Sequence, residues 1–469
     1  MSMDLAELRA AFQGRLLAEP EAMAPHLTDW RRKWTGQALA VAQPDTTEGV
    51  AAVVRWCRAH GVAVVPQGGN TGLSGGATPS ATGHSLVLST TRLQRIRALD
   101  TVGQTVTAEA GVTLQQLQDA AREAGRLFPL SLAAQGTCTI GGNLATNAGG
   151  VQVLRYGNAR ELCLGLEVVT AEGEVWNGLR PLRKDNTGYA LRDLFIGSEG
   201  TLGVITAAVL KLFPLPAAQV AAFVAVPSPA AALALLALAQ ERLASELTAF
   251  ELMSDTCLQL VEQHVPTARR PLAEPSPWSV LLEVSSAQSE QAATQALEAL
   301  LEAALDAGHV TDAAVSSSLA QFRSLWALRE DISESQGAAG PTIKHDIALP
   351  IAQVPAFIAQ TDALLAQHYP GLRLVVFGHL GDGNLHYNLS PPVQGMSREA
   401  FTALEAPINR LVHDAVHAAG GSISAEHGLG VLRRDESARY KSALELRLMH
   451  AIKQALDPLN HMNPGKLLG

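Results

Sequence analysis

Cysteine is scarce in this chain: Cys57, Cys138, Cys163 and Cys257 are scattered and form no CxxC pair. That spacing speaks against an internal iron–sulfur cluster. The four read instead as reduced, structural thiols of a cytosolic protein. Charge is also sparse, at 17% of residues against 47% hydrophobic, which suits packed cores and leaves little room for disorder. The net charge of −9 supplies no broad basic face, so neither nucleic acid nor simple adhesion to anionic lipid is expected. Long apolar runs are missing too. The most lipid-like stretch, 217 to 240, is cut by Pro227 and Pro229 into a short strand and a short helix. Neither piece reaches the roughly 20 residues that a membrane span needs. The opening "MSMDLAELRAAFQGR" carries acidic residues where a signal peptide has a basic head, so no secretion is expected and the location reads as cytoplasmic.

What is present is enough chain for more than one core, 469 residues, and a texture that changes along it. Residues 1–36 read as a helical preamble. From there to 215, short β-rich runs separated by glycine clusters predict one α+β domain (37–215). Strands alternating with Ala/Leu-rich helices then predict a second α+β domain over 216–430, followed by a helical segment, 431–469.

Three glycine-rich stretches fall in the first domain: "VVPQGGNTGLSGG" (64–76), "GTCTIGGNLATNAGG" (136–150) and "FIGSEGTLGVIT" (195–206). Such loops let backbone N–H groups close around a phosphate. A Walker loop is excluded, because the one Gly-Lys pair is Gly465-Lys466. A Rossmann fingerprint is excluded as well, because the first loop leads into another strand, "SLVLST", rather than a helix; whatever it cradles is not expected at a helix terminus. Each stretch alone also fits tight turns of a sheet. Three in one domain point to a long, backbone-lined nucleotide cleft.

In the second domain "FGHLGDGNLHYN" sets His379 and His386 seven residues apart. Gly378, Gly381, Asp382 and Gly383 argue against a helix, so a strand, a glycine turn and a second strand are expected to point both imidazoles into one pocket. Two loop histidines without a shared role would give the same spacing. The stretch "SAEHGLG" (424–430) adds Glu426, and two nitrogens with one oxygen suit a divalent ion with positions left open. Upstream, Arg329 and Ser333 in "WALREDISES" are four apart on an expected helix, hence on one face, and Lys344 precedes an expected strand. An arginine and a lysine suit an anionic substrate, although unrelated surface cations would look alike.

Taken in order, the first loop, "IGGNLATNAGG", "KDNTGYALRDLFIGSEGTLGVIT", "GHLGDGNLH" and "SAEHGLG" resemble the FAD-linked oxidase family of the vanillyl-alcohol oxidase superfamily, over roughly residues 40–469. Its D-2-hydroxyacid dehydrogenase branch, which includes D-2-hydroxyglutarate and D-lactate dehydrogenases and glycolate oxidase subunits, fits best. The resemblance implies a two-part FAD-binding domain with an α+β cap domain that holds substrate. It implies FAD contacts from Pro66, Gly68, Gly69, Asn70, Thr71, Gly72, Ser74, Gly141, Gly142, Asn143, Gly197, Ser198, Glu199, Gly200 and Thr201. Some superfamily members tether the flavin through a histidine in the first loop; Asn70 stands there, so non-covalent FAD is expected. His379, His386 and Glu426 match metal ligands, zinc or manganese being the first candidates. Arg329, Ser333, Lys344 and Asn388 match substrate contacts, with Ser333 where threonine is frequent, and His427 matches the catalytic base, also in contact with substrate. The terminal "NPGKLLG" resembles a motif that folds back toward the flavin.

The implied reaction is oxidation of a D-2-hydroxy acid to the 2-oxo acid, with an external acceptor, a quinone or an electron-transfer protein, reoxidising the flavin. Lys344 favours a dicarboxylate such as D-2-hydroxyglutarate over D-lactate. A homodimer is the default assembly. Two other classes stay open: a metal-dependent hydrolase, which leaves the glycine clusters without a purpose, and a catalytically silent FAD-binding subunit, which has no need of the six polar positions 329, 344, 379, 386, 426 and 427.

Overall fold

The computed structural model describes residues 5–469. The first four residues of the stretch read as a helical preamble lie outside the described residues. The remainder of that stretch is only partly helical: Leu5–Ala11 and Pro20–Met23 are helices, but Gly14–Leu17 is a strand. It pairs antiparallel with Val41–Pro44, Gly14 opposite Pro44. The added strand satisfies backbone groups along what would otherwise be a bare sheet edge.

The chain forms two compact units. One comprises residues up to Gly150, Tyr156–Leu215 and Glu426–Gly469; the other comprises Val151–Arg155 and Pro216–Ala425. In the first unit, Val41–Pro44, Ser85–Ser89 and Ala63–Gln67 form a parallel set. Helix Thr47–Ala59, capped by the Thr46 hydroxyl on the Gly49 N–H, packs Val50, Val53, Val54 and Cys57 into the same core as Val64, Leu86 and Leu88. A second, antiparallel sheet runs in the order Ile96–Asp100, Thr105–Glu109, Gly203–Lys211, Cys163–Thr170, Val175–Gly178. The start of helix Thr47–Ala59 is fastened to this sheet by one carboxylate: Glu167 accepts from the hydroxyls of Thr47 at 2.7 Å and Thr206 at 2.8 Å, and pairs with Arg97 at 3.0 Å. Burial alone would raise that carboxyl, but these bonds outweigh it and hold it below its usual range.

The second unit is a seven-stranded antiparallel sheet, in the order Asp312–Val315, Ala218–Val226, Trp278–Ser286, Leu247–Ser254, Arg373–His379, Asn384–Ser390, Asp346–Ala348. Its central strands are buried on both faces, which explains their unbroken apolar runs. On one face Ala249, Met253 and Phe377 share a core with Leu258 and Val261 of helix Asp255–His264 and with Leu325, Leu328 and Ile332. Among the described residues no helix is long and apolar enough to cross a membrane. All four cysteines are buried and free, and burial pushes the thiols of Cys57, Cys163 and Cys257 up to about 12, so they act as packing groups.

The C-terminal tail is woven into the first unit. The Val64 N–H donates to the His461 carbonyl at 2.8 Å, and the Asn463 N–H donates back to the Val64 carbonyl at 2.7 Å. Lys466, 4% exposed, donates to the Gly75 carbonyl at 2.8 Å and lies 5.5 Å from the Trp34 ring centre. Burial lowers its ammonium from 10.5 to about 8, against the pull of nearby Glu199. The folded chain therefore releases this proton near pH 8 and the unfolded chain only near pH 10.5, so the unfolded state holds the extra proton between them. Stability from this group rises across that window, by up to about 3 kcal/mol. The urea midpoint of the parent protein should rise relative to that of Lys466→Met between pH 8 and 10; parallel curves would contradict this assignment.

Candidate active site

In the first unit the three glycine-rich stretches meet around one cleft, with about 940 Å³ of empty space including its mouth. Pro66, Gly68, Gly69, Asn70, Thr71, Gly72 and Ser74 line it, with Gly141, Gly142 and Asn143, with Ser198, Glu199 and Gly200, and with His427. Gly197 and Thr201 do not line it. They build the adjoining turn: the Gly197 N–H donates to the Leu144 carbonyl at 3.0 Å and the Thr201 hydroxyl to the Ser198 carbonyl at 2.7 Å.

Much of the glycine content serves loop against loop. A Cβ on Gly69 would sit 1.9 Å from the Thr137 carbonyl oxygen, whereas one on Gly72 would meet nothing within 4 Å. Part of the second stretch is also a helix, Ile140–Ala145. Its first turn lines the cleft, which corrects the expectation that no helix terminus takes part. Thr139 precedes that helix, and among the described residues its buried hydroxyl has no hydrogen-bond partner. An unsatisfied buried hydroxyl beside glycine-lined backbone fits a polar ligand such as the phosphate-bearing part of a dinucleotide. Thr139 was missed from sequence, although a threonine directly before "IGGN" is an N-cap signal.

Two predicted contacts carry other duties. Asn70 donates its amide to the carbonyls of Pro25 at 3.1 Å and Thr28 at 2.9 Å, tying the N-terminal segment to the first loop. Glu199 accepts from the N–H groups of Leu429 and Gly430, both at 2.8 Å, and so fixes the turn that follows His427. Burial pushes the Glu199 carboxyl up, while these two bonds and Lys466 pull it down.

In the second unit the hairpin Arg373–His379 and Asn384–Ser390 sets Phe377 opposite His386. Gly383 closes the turn at φ +84°, where a Cβ would lie 2.2 Å from the Leu349 carbonyl oxygen. Because side chains alternate along a strand, Phe377, His379, His386, Asn388 and Asp346, which pairs with His386, share one sheet face. The two imidazole centres are 5.9 Å apart, with ring nitrogens within 4.8 Å of one another. That is a usable donor pair for a transition-metal ion.

Across the neighbouring strand, Glu251 faces His379 in register. Glu251 is 0% exposed, and its two oxygens divide the work: Oε1 accepts from His379 Nδ1 at 2.7 Å and Oε2 from Arg329 Nε at 2.8 Å. Burial would raise this carboxyl, but its contacts with His379 and Arg329 hold it well below its usual range. The Arg329 guanidinium is 4.7 Å from the Phe377 ring centre, so an aromatic face holds it as well. Glu251 was not singled out in the sequence; its signal was a lone acid inside the buried strand "LTAFELMS".

Among the other predicted substrate contacts, the Arg329 and Ser333 pair lies differently from expectation. Arg329 and Ser333 do not share a helix face: helix Leu319–Glu330 ends at Asp331, where a second helix, Ile332–Ala338, begins. The ψ of −7° at Asp331, far from the helical value near −42°, marks the break. Arg329 is buried and Ser333 exposed. Lys344, half-buried, precedes strand Asp346–Ala348. Asn388 is buried, accepting from the His345 N–H at 3.1 Å and donating to the Gln336 side chain at 3.0 Å. Glu426 and His427 follow Ala425, whose N–H donates to the Asp346 carbonyl at 3.2 Å.

Comparison with known proteins identifies the lineage. The family described as FAD linked oxidases, C-terminal domain, matches residues 215–467, and the FAD binding domain matches residues 38–178. The chain belongs to the FAD-linked oxidases. It is an FAD-dependent oxidoreductase. It is 43% identical over 453 residues to the D-2-hydroxyglutarate dehydrogenase of Xanthomonas citri pv. viticola, covering 97% of this chain and 94% of that protein. It is 41% identical to the mitochondrial D-2-hydroxyglutarate dehydrogenase of Bos taurus, covering 99% of this chain and 83% of that one. Among solved structures, p-cresol methylhydroxylase with substrate bound superimposes with a TM-score of 0.77 at 17% identity, covering 99% of this chain and 96% of the other. A 4-ethylphenol oxidase from Gulosibacter chungangensis gives 0.74 at 18% identity, covering 99% and 96%. These two likenesses establish a vanillyl-alcohol-oxidase-type fold.

The contrast between the two first-loop glycines gives a test of this FAD-linked oxidase's cleft. Gly69→Ala should lower stability by about 1–3 kcal/mol, as overpacking does, and lower the flavin content of the purified protein. Gly72→Ala should leave the unfolding midpoint of the apoprotein unchanged. Equal midpoints for the two apoproteins would contradict the loop-on-loop reading.

Proposed function

We propose that the protein oxidises a D-2-hydroxy acid, D-2-hydroxyglutarate before others, to the 2-oxo acid, with non-covalent FAD in the glycine-lined cleft and a divalent ion, zinc or manganese, on His379, His386 and Glu426. The observation that carries the reading is the histidine pair braced by Glu251, with Arg329 on the same carboxylate. The names of the relatives support the substrate. Glu426 comes into the ligand set through chain connectivity: it is peptide-bonded to Ala425, which is anchored on the Asp346 carbonyl, and Asp346 is the register partner of His386. Non-covalent attachment is supported by Asn70, whose amide is no nucleophile and already serves two carbonyls.

FAD when bound supplies the two-electron acceptor for the hydrogen at C2, and the ion supplies positive charge that favours an ionised substrate oxygen. Arg329 and Lys344 bind and orient the carboxylates, the former preset by Glu251 and the Phe377 ring. His427, at the cleft wall, takes the proton of the C2 hydroxyl. Glu199 holds the Leu429–Gly430 turn and so limits how far the His427 backbone moves. An external quinone or electron-transfer protein then collects the electrons. Lys344 favours a dicarboxylate over D-lactate, because a second carboxylate calls for a second cation.

Steady-state turnover with a dye acceptor tests this assignment. D-2-Hydroxyglutarate should give kcat/KM at least tenfold above D-lactate, and a chelator should abolish both activities until Zn²⁺ or Mn²⁺ is restored. Lys344→Ala should lower kcat/KM for D-2-hydroxyglutarate more than tenfold while changing that for D-lactate far less. Faster turnover of D-lactate, or chelator-resistant activity, would overturn the substrate or the metal respectively.

A further inference from the structure

We infer that Glu251 is a positioning residue that sets the tautomer of His379, and that Arg329 is what makes it do so. The inference rests on the metal-site reading above and extends it to a residue outside the ligand set. An ionised carboxylate only accepts hydrogen bonds, so the ring nitrogen it meets must carry the proton. Glu251 Oε1 lies 2.7 Å from His379 Nδ1, which places the proton on Nδ1 and the donor lone pair on Nε2, the atom that can then ligate an ion. The second oxygen is claimed by Arg329 Nε at 2.8 Å, a group that can only donate. The pair is fixed by the fold: Glu251 and His379 are register partners on adjacent strands, and Arg329 comes from a helix covering the same face. With Glu251 fully buried and Arg329 8% exposed, water does not readily stand in for either bond.

Glu251→Gln exposes the logic, because an amide has one accepting end and one donating end. Arg329 Nε–H demands the accepting end, so the amide NH₂ turns to His379 Nδ1. That nitrogen must then accept, the ring proton moves to Nε2, and the ligating lone pair is lost. Removing the arginine reverses the constraint: in Glu251→Gln/Arg329→Met the amide oxygen is released to accept from Nδ1–H again. A residue that matters only for packing would not produce recovery in the double variant.

The experiment is calorimetric titration of Zn²⁺ into metal-stripped, flavin-loaded protein, with flavin absorbance and thermal midpoint recorded for every variant. Glu251→Gln should bind Zn²⁺ about 10–100-fold more weakly than the parent. The double variant should recover most of that loss. Glu251→Asp keeps a charge for Arg329 but withdraws the oxygens by one methylene, and it should weaken Zn²⁺ about tenfold; it carries the comparison should the glutamine variant not fold. Parental affinity in Glu251→Gln, or in Glu251→Asp where that variant stands in for it, would overturn the inference while leaving the metal site intact. Equal weakness in the single and double variants would overturn the tautomer argument. A parent protein that binds no Zn²⁺ would overturn the metal-site reading and this inference with it.

Discussion

A buried carboxylate must be compensated, and in the second unit that requirement organises the surroundings of Glu251. Left alone in the sheet it would cost several kcal/mol or take up a proton. One cation from a covering helix and one imidazole from the neighbouring strand keep it ionised. The strand register Glu251 to His379, the course of helix Leu319–Glu330 and the packing of Arg329 on Phe377 are thereby tied to a single point. Breaking such a pair from one side generally costs about 3–5 kcal/mol, which gives the geometry its rigidity.

The FAD-binding unit meets its constraint by close approach. Its loops touch through backbone, so the absence of a Cβ at Gly69 brings the first stretch against Thr137. The C-terminal tail then closes over the same loops: Asn463 donates to the carbonyls of Gly76 at 2.9 Å and Glu199 at 2.7 Å, while Lys466 donates to Gly75. Glu199, from the third stretch, anchors the turn after His427. Residues more than 200 positions apart thus hold one cleft wall, and its shape depends on the end of the chain as much as on the glycines.

The α+β class, the cleft and the histidine hairpin were legible because each leaves a local mark: glycine clusters beside strands, or alternation interrupted by a glycine turn. What escaped has no local mark. The break at Asp331 interrupts "WALREDISES" without glycine or proline, and it separates Arg329 from Ser333 by burial. The short helix in "IGGNLA" forms despite two glycines, because its N–H groups find carbonyls in Val112 and Ala110 as well as in its own turns. Glu251 is unremarkable in "LTAFELMS" until the fold supplies a partner 128 residues away. The bonds that hold the Asn388 amide, to the His345 N–H and the Gln336 side chain, come from residues more than 40 positions away.

In the proposed reaction, hydrogen leaves C2 of a D-2-hydroxy acid for the flavin held in the glycine-lined cleft. The most direct test is a single anaerobic mixing of the purified flavoprotein with D-2-hydroxyglutarate, once unlabelled and once deuterated at C2, followed at the flavin absorbance band. Bleaching is expected, with one 2-oxoglutarate formed per flavin and the rate slowed several-fold by the deuterium. An oxidised flavin that keeps its absorbance in the presence of substrate and divalent metal would contradict the proposed reaction.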